Sequence, residues 1–254
     1  MIRVILSGCN GRMGQVLVMR MKEHAGMEIV AGVDQALDTP NDFPVYGRFD
    51  AVGEEADLVV DFSHISLTPM LLDFCTKKRL PLLLCTTGIA GSLEELVAEA
   101  AKTIPIFKSA NMSLGIGLLQ SLVRQAARVL GDAYDVEIIE KHHNKKVDAP
   151  SGTAFMIAEA AASALPYTPR YSFDRSGEHK QRDPHEIGIH SIRGGTIVGE
   201  HEILFVGAHE VLTISHSAQS RELFANGAMK AVEFLRDVGR PGLYAMDDLL
   251  RSLS

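Results

Sequence analysis

The stretch that decides the fold is Ser7-Gly8-Cys9-Asn10-Gly11-Arg12-Met13-Gly14, which follows a short apolar run at residues 3–6. Gly11 and Gly14 occupy the last two positions of the fingerprint G-x-G-x-x-G. In that fingerprint one glycine lets the backbone approach a pyrophosphate, and the other lets the following helix pack closely on the strand. The N-terminus of the helix presents free N–H groups and the positive end of its dipole to the phosphates. The pattern therefore predicts a strand–turn–helix unit that binds a dinucleotide.

An acidic residue stands at the distance that such a unit requires. Asp34 ends the second predicted strand, about twenty residues after Gly14. A carboxylate there accepts hydrogen bonds from the adenosine ribose, and Gln35 stands where an arginine often binds the 2′-phosphate of NADP. We therefore expect NADH and/or NADPH as cofactor, with NADH favoured by Asp34-Gln35 and Arg12 still able to serve a phosphate. The alternative is an ordinary glycine turn that binds nothing; a Walker-type phosphate loop is excluded because no G-K-[ST] follows.

The first 110 residues alternate short apolar runs with helical patterns. Strands are predicted at 3–6, 29–33, 58–62, 82–85 and 104–107, and helices at 14–24, 68–79 and 93–103. Ser92 is expected to cap the last helix, with Glu95 completing a capping box. Such alternation predicts an α/β, Rossmann-like, doubly wound parallel sheet with helices on both faces.

The second half of the chain changes in style. We predict helices at 114–130, 153–165 and 221–238, and strands at 134–141, 187–193, 197–205 and 211–216. The polar segment 166–186 is expected to be a functional loop or an inter-subunit arm. These elements predict a smaller α+β domain with a mixed open sheet. The expected division is a dinucleotide-binding domain at 1–114 plus 222–254, and a substrate-binding and tetramerisation domain at 115–221.

Two further strand ends are candidates for the nucleotide crevice, because ligands of open α/β sheets bind at the carboxyl ends of the strands. The residues concerned are Cys85-Thr86-Thr87-Gly88 and Ser109-Ala110-Asn111-Met112. Threonine, glycine, serine and asparagine are also common turn formers, so ordinary turn chemistry remains an alternative for both segments.

The segment from Glu140 to Thr153 gathers two histidines and three lysines in an otherwise acidic chain. His142 or Lys146 could supply a proton to an atom that receives a hydride, and the helix opening at Ser151-Gly152-Thr153 could bind a carboxylate. Adjacent histidines on opposite faces of a strand do not share a metal, so we expect no metal site. A solvated basic loop with Ser151 as a plain N-cap is the alternative. The remaining histidines are scattered and are interpreted as structural or surface residues; examples are His179, His185, His190, His201, His209 and His216.

Composition limits the class of protein. With 46% apolar and 22% charged residues and a net charge of −7, the chain is expected to be an ordinary globular protein with no nucleic-acid partner. No apolar run approaches the roughly 20 residues of a membrane helix, and the start of the chain has no signal-peptide pattern. Three cysteines in unrelated contexts suit a reducing compartment. We therefore expect a cytoplasmic protein without a membrane partner.

Taken together, these motifs closely resemble the 4-hydroxy-tetrahydrodipicolinate reductase family, formerly called dihydrodipicolinate reductase. The likeness covers essentially the whole chain, and its most specific part is H-H-x-x-K-x-D-x-P-S-G-T at 142–153. Its other parts are residues 8–14, 59–63, 86–88, 198–201, 220–221 and 224–228. The resemblance implies reduction of a dicarboxylate heterocycle by NAD(P)H in diaminopimelate and lysine biosynthesis, by a homotetramer.

The resemblance also implies roles for individual residues. His142 would be the acid/base residue, Lys146 the proton donor and His143 a substrate contact, while Gly152 and Thr153 would hold a substrate carboxylate through their N–H groups. The implied cofactor contacts are Gly8, Cys9, Asn10, Gly11, Arg12, Met13, Asp34, Cys85, Thr86, Thr87, Ser109, Ala110, Asn111 and Met112.

Three positions depart from the family pattern. Cys85 stands where glycine is common, Met112 where an aromatic residue is frequent, and Gln35 where an arginine would bind the 2′-phosphate. Two alternatives to the reductase remain: a non-catalytic NAD(H)-sensing protein, and another NAD(P)-dependent dehydrogenase of a small amino dicarboxylate. His142 and Lys146 distinguish the reductase from the sensor, because a sensor needs no paired acid and base.

Overall fold

The computed structural model describes residues 1–253 as two compact units. One unit comprises Met1–Leu114 together with the chain from Arg221 onward, and the other comprises Gly115–Ser220. Within the described residues, no helix combines the length and the apolar character needed to cross a membrane.

Twelve strands and seven α-helices make up the described chain. The strands are β1 (Ile2–Ser7), β2 (Met27–Val33), β3 (Val45–Tyr46), β4 (Leu58–Asp61), β5 (Leu82–Leu84), β6 (Pro105–Lys108), β7 (Asp135–His142), β8 (Arg170–Ser172), β9 (Glu186–Arg193), β10 (Gly199–Val206), β11 (Val211–Ala218) and β12 (Gly242–Tyr244). The helices are α1 (Arg12–Lys22), α2 (Thr68–Lys78), α3 (Ser92–Ala100), α4 (Leu114–Leu130), α5 (Gly152–Ala162), α6 (Glu222–Val238) and α7 (Met246–Leu253).

The first unit is built on a seven-stranded parallel sheet in the order β12-β6-β5-β4-β1-β2-β3. Its strands are apolar on both faces because each face is covered by helices. Val4 and Leu6 of β1 pack with α1, α6 and α7, whereas Ile5 packs with α2 and α3. The chain leaves β1 toward β2 on one side and returns to β4 on the other. The gap between the ends of β1 and β4 is therefore the topological switch point, where ligands of such sheets bind.

The predicted doubly wound sheet is confirmed, with two local differences. The two-residue β3 and the three-residue β12 are missing from the sequence prediction, because runs that short carry no readable alternation. The predicted capping box of α3 is wrong. Ser92 is the first residue of the helix, and Gly91, at φ 57°, precedes it without a side-chain cap.

The second unit contains a mixed five-stranded sheet in the order β11-β10-β7-β9-β8. β7 pairs antiparallel with β10 and parallel with β9. Helices α4 and α5 cover one face of the sheet around a core that includes Val136, Ile138, Ile203 and Phe205. Residues on the opposite face alternate with this core and are half-buried along β7 and β10. The predicted mixed sheet is therefore confirmed.

The polar segment at 166–186 is more ordered than a plain loop. It contributes β8, which pairs in parallel with β9. The Arg182 guanidinium donates hydrogen bonds to the carbonyl oxygens of Val136 and Glu186, at 3.1 and 2.7 Å. Arginine–carbonyl bonds of this kind tie the segment to the sheet of its own unit.

Candidate functional site

The glycine loop of the first unit joins β1 to α1 at the switch point. Gly8 adopts φ +77°, and a Cβ there would lie 2.7 Å from the carbonyl oxygen of Phe62, just beyond β4. A Cβ on Gly14 would lie 2.1 Å from the Gly8 carbonyl oxygen, so only glycine lets α1 start this close to the loop. Gly11 is the N-cap residue of α1 and, as a glycine, makes no side-chain capping hydrogen bond to the first turn of the helix. The first N–H groups of α1 are thus left for an anion, which suits a pyrophosphate.

Asp34 links the end of β2 to the same loop. Its carboxylate accepts a hydrogen bond from the Asn10 backbone N–H at 2.9 Å and another from the Ala36 N–H at 3.0 Å. The Asn10 side chain in turn donates to the Ala36 carbonyl. Because each carboxylate oxygen accepts one backbone bond and has further lone pairs, the half-buried Asp34 can still accept from ribose hydroxyls. The glycines, the uncapped helix and this carboxylate together fit a dinucleotide.

The ends of β4 and β5 are tied by a buried hydrogen bond. The Thr86 hydroxyl donates to the Asp61 carboxylate at 2.5 Å, and Asp61 is fully buried. Burial raises the pKa of Asp61 above its ordinary value, although the hydrogen bonds to Ser63 and Thr86 oppose that shift. Thr86 is therefore engaged in the protein, whereas the neighbouring Thr87 is exposed. At this strand end, Thr87 has the side chain that a ligand can reach.

After β6 the chain closes a compact polar turn. The Ser109 hydroxyl donates to the Asn111 carbonyl oxygen at 2.7 Å, and the Asn111 amide oxygen accepts from the Ser113 N–H at 2.9 Å. Ala110 at the tip of this turn is exposed. The turn fixes the backbone of residues 109–112 at the carboxyl edge of the sheet.

Three of the predicted cofactor contacts have buried apolar side chains. Cys9, Cys85 and Met112 all belong to the apolar core on one face of the sheet. Burial and the nearby Asp34 charge raise the pKa of the Cys9 thiol to about 11. Burial likewise raises the pKa of Cys85 well above its ordinary value. Any contact that these residues make with a cofactor must therefore come from the backbone, which reduces the importance of the unusual Cys85 and Met112 side chains.

A cavity of about 490 Å³ adjoins Asp34 and Gln35 in the first unit. Apolar side chains contribute much of its wall, including Phe49, Leu67 and Met70. Its one arginine, Arg48, is held by Asp50 through hydrogen bonds of 2.6 and 3.0 Å. The predicted phosphate contact Arg12 lies exposed at the start of α1.

In the second unit, a buried carboxylate organises the end of β7. Glu140 has no exposed surface, and its carboxylate accepts a 2.5 Å hydrogen bond from Nδ1 of His142. Arg193 of the parallel neighbour β9 donates two hydrogen bonds to the same carboxylate, at 2.7 and 2.8 Å. The backbone N–H of Ser151 adds a fourth, at 3.1 Å. His142, the predicted acid/base residue, is thus a buried imidazole held by an ionised partner.

The turn that follows β7 positions Lys146 and His143. The Lys146 N–H donates to the His143 carbonyl oxygen at 3.1 Å, and the Lys146 ammonium pairs with Asp148 at 2.9 Å. The hydrogen bond from Lys146 lowers the pKa of Asp148. His143 is half-buried, and its Nδ1 has no hydrogen-bond partner among residues 1–253.

The predicted N-cap of α5 is confirmed. Ser151 Oγ accepts from the Ala154 N–H at 3.1 Å and also lies 3.2 Å from Nε2 of His201. Gly152 is exposed, and a Cβ there would meet nothing within 4 Å. Thr153, the next residue, is half-buried. The first turn of α5 therefore begins beside open space.

Burial controls the protonation of this cluster. It lowers the pKa of His142, although the hydrogen bond to Glu140 opposes the shift. Burial and the His142 charge lower the pKa of His201 to about 4, so His201 is neutral near pH 7. Burial alone would raise the pKa of Glu140, but hydrogen bonds, above all from Arg193, bring it down to about 2. Glu140 is therefore ionised, and His142 is poised to exchange a proton.

Several residues of this cluster are not identified from sequence. His201, interpreted above as one of the scattered histidines, is only 4% exposed, and its ring centroid lies 5.3 Å from that of His142. Gly199 is the other close neighbour, because a Cβ there would lie 3.1 Å from His142 Nε2. Glu140, two residues before His142 on the same face of β7, is the member that period-two spacing could reveal. Arg193 is distant in sequence and carries no such signal, while Gly199 and His201 stand out only through the family likeness at 198–201, which implied no role for them.

Among the described residues, no three histidine, cysteine, aspartate or glutamate side chains form a group that could hold a metal ion. The candidate chemistry of the second unit is carried by His142, Lys146 and the start of α5. The candidate role of the first unit is to bind a dinucleotide at the glycine loop.

Comparison with known proteins supports the interpretation of both the N-terminal and the C-terminal part of the chain. The N-terminal model of dihydrodipicolinate reductase matches residues 2–112, and the C-terminal model matches residues 115–250. A 4-hydroxy-tetrahydrodipicolinate reductase from Caldanaerobacter subterraneus subsp. tengcongensis is 54% identical over 252 residues, which cover 99% of both chains. A protein of the same name from Clostridium tetani is 47% identical over 253 residues, covering 99% of this chain and 98% of the other.

A solved structure has the same fold throughout. The dipicolinate-bound dihydrodipicolinate reductase from Paenisporosarcina sp. TG-14 superposes with a TM-score of 0.82 at 25% identity, covering 96% of this chain and 97% of that one. Since both family models match and identity to the relatives is high over the full length, the chain with this glycine loop and this histidine–lysine segment belongs to the dihydrodipicolinate reductase family.

Proposed function

We propose that this chain reduces 4-hydroxy-tetrahydrodipicolinate to tetrahydrodipicolinate with NAD(P)H, a step toward diaminopimelate and lysine. The observation that carries the proposal is the segment from the end of β7 to the start of α5, in which the buried Glu140–His142 pair, Lys146 and the first turn of α5 follow one another. The relatives with this activity in their names share 54% and 47% of their residues with this chain. The same segment is what a non-catalytic NAD(H) sensor would not need.

The start of α5 supports binding of a substrate carboxylate. The N–H groups of Gly152 and Thr153, at the first two positions of α5, are assigned to the ligand, as the family resemblance implies. The helix dipole adds a favourable partial positive charge at this end. Absence of a side chain on Gly152 leaves room for the ring that bears the carboxylate. His143, half-buried in the preceding turn, is assigned a second substrate contact.

Protons are handled by His142 and Lys146. The net reaction takes up one hydride and one proton and releases the 4-hydroxyl group as water, and the dihydronicotinamide supplies the hydride. Lys146, held by Asp148 at 2.9 Å, is assigned the role of proton donor. His142 is assigned the role of acid/base residue, because Glu140 binds its Nδ1 and leaves Nε2 for proton exchange.

We assign the binding of the cofactor to the first unit. Gly8, Asn10, Gly11, Met13 and the start of α1 would hold the pyrophosphate, and Asp34 the adenosine ribose. Asp34 together with the neutral Gln35 favours NADH over NADPH. The ratio of kcat/KM for NADH and NADPH measures this preference; a strict requirement for NADPH would contradict it.

One assay decides between the reductase and its alternatives. The product of dihydrodipicolinate synthase is supplied with NADH or NADPH, and loss of nicotinamide absorbance is followed. Oxidation of either cofactor is expected. Absence of oxidation with both would overturn the reductase, and NADH binding without turnover would favour a sensor. Turnover of other amino dicarboxylates alone would favour a different dehydrogenase.

We also assign to the second unit the subunit contacts of a homotetramer. The face of its sheet opposite α4 and α5 carries exposed apolar side chains, including Ile192 at 47% and Val211 at 54%. A second copy of this chain would cover these side chains and the free edge of β11. Sedimentation equilibrium is expected to give four times the chain mass of 27.6 kDa. A monomeric mass at micromolar concentration would contradict the assembly.

A further inference from the structure

We infer that Glu140 and Arg193 form a buried positioning pair that orients His142 and fixes the start of α5 for the reaction. Neither residue is assigned a contact with substrate, so both act through their neighbours. The inference rests on the proposed function for its kinetic consequences. Its geometric part can be tested without turnover.

Glu140 is saturated with donors. Oε2 accepts from His142 Nδ1 at 2.5 Å and from Arg193 Nη1 at 2.8 Å. Oε1 accepts from Arg193 Nη2 at 2.7 Å and from the Ser151 N–H at 3.1 Å. One carboxylate therefore joins β7, β9 and the N-cap of α5, which are the three elements that position the proposed acid/base residue and carboxylate site.

Only a carboxylate satisfies this set. An amide in its place would turn an NH2 group toward two donors, whichever way it faced. In one orientation of the amide, the hydrogen bonds from His142 and from one Arg193 N–H would be lost. In the other orientation, those from Ser151 and from the second Arg193 N–H would be lost. Arg193 is also fixed independently, since its Nη2 donates to the Asp148 carbonyl oxygen at 2.6 Å. The Arg193 guanidinium thus connects the carboxylate to the turn that carries Lys146.

The consequence for His142 is a defined tautomer. Because the ionised Glu140 accepts only, Nδ1 of His142 carries the hydrogen, and Nε2 is the nitrogen left for proton exchange. On the Nε2 side, Gly199 presents no side chain, and a Cβ there would lie within 3.1 Å. The pair therefore fixes both the orientation of the ring and the nitrogen that exchanges the proton.

Titratable or charged groups from four parts of the unit face His142. Glu140 on β7 raises its pKa, whereas Lys146 in the following turn and Arg193 on β9 lower it. His201 on β10 lies beside the ring and is neutral near pH 7, since its own pKa is about 4. Loss of the Glu140 charge removes the opposition to burial, so the pKa of His142 should fall further. The limb of the pH–rate profile that reports His142 should then move to lower pH.

Glu140→Gln tests the inference, with Glu186→Gln as the matched control. Glu186 is also a buried carboxylate, 2% exposed, which pairs with Arg170 at 2.9 Å on the other side of the sheet. We expect Glu140→Gln to lower kcat roughly 10²-fold, to move the His142 titration to lower pH in histidine-labelled NMR spectra, and to leave the Kd for NADH unchanged. Glu186→Gln should lose stability but keep the wild-type pH profile and His142 titration.

An unchanged His142 titration and pH profile in folded Glu140→Gln would overturn the inference. If that variant does not fold, Arg193→Lys replaces it, because lysine keeps the charge but cannot donate to both carboxylate oxygens in the same geometry. Its kcat should fall roughly tenfold, and wild-type kcat in this variant would equally overturn the inference. The NMR titration requires no turnover. Failure of the wild-type protein to oxidise NAD(P)H would therefore overturn the proposed function alone.

Discussion

Replacement of Gly199 by alanine places a methyl group against the proposed acid/base residue. Gly199 is the buried first residue of β10, and a Cβ there would lie 3.1 Å from Nε2 and 3.4 Å from Cδ2 of His142. The imidazole has little room to retreat, because Glu140 holds its Nδ1 at 2.5 Å and the His201 ring packs at 5.3 Å. A displacement of a few tenths of an ångström must therefore be taken up by these contacts.

The expected cost falls on activity more than on stability. A charge-assisted hydrogen bond contributes about 1.5–3 kcal/mol, and weakening the one between His142 and Glu140 by about half costs about 0.8–1.5 kcal/mol, which is about fourfold to tenfold in rate. Alanine in a strand is about 0.5–1 kcal/mol more favourable than glycine, which offsets the steric cost to folding. We expect kcat/KM of Gly199→Ala to fall about fourfold to tenfold, with little change in Tm.

Steady-state NAD(P)H oxidation and thermal unfolding measure the two effects in the same preparations. Gly53→Ala is the control, because it makes the same change where a Cβ would meet nothing within 4 Å. Wild-type kcat/KM in Gly199→Ala would refute the assignment of Nε2 as the exchanging nitrogen. A loss of activity accompanied by a large drop in Tm would show disruption of the fold instead.

Three further substitutions test other parts of the site. Lys146→Ala should lower kcat by roughly 10²-fold with an unchanged Kd for NADH in fluorescence titration; a large loss of NADH binding would place Lys146 at the cofactor. Asp34→Ala should weaken NADH binding by roughly tenfold or more, since charge-assisted bonds to the ribose are lost, and unchanged affinity would refute the ribose assignment. Ser151→Ala should lower the free energy of unfolding by about 1 kcal/mol through loss of the N-cap and raise KM for the substrate; an unchanged Tm would refute the cap.

The α/β sheet of the first unit is predictable because its signals are local. The glycine loop, Asp34 and the alternation of apolar strands with helices each occupy a short stretch of chain. The strands β3 and β12 escape prediction because their two or three residues pair only where a neighbouring strand already offers an edge. The start of α3 is misjudged because Gly91 supplies the turn that was assigned to a Ser92 cap.

At the candidate site of the second unit, some features are likewise predictable from local sequence and others depend on contacts between distant residues. Clustering of His142, Lys146 and Ser151 is visible in sequence, and the Ser151 cap follows from the residue type. The contact of Glu140 with Arg193 joins residues on β7 and β9, and nothing in the intervening chain marks it. In the first unit, the burial of Cys9 is equally invisible, because it lies in a loop whose composition indicates ligand binding.

By itself, the sequence determined the parallel sheet, the glycine turn that α1 can pack against, and the reactive segment after β7, because each depends on residue types at short spacing. The tertiary structure decided which atoms of those residues are usable. Cys9, Cys85 and Met112 keep only their backbone for a ligand, since their side chains complete the core. His142 acquires its orientation from Glu140, Arg193 and Gly199, which meet only when β7, β9 and β10 pair. Strand pairing brings distant residues together, and no local pattern records it.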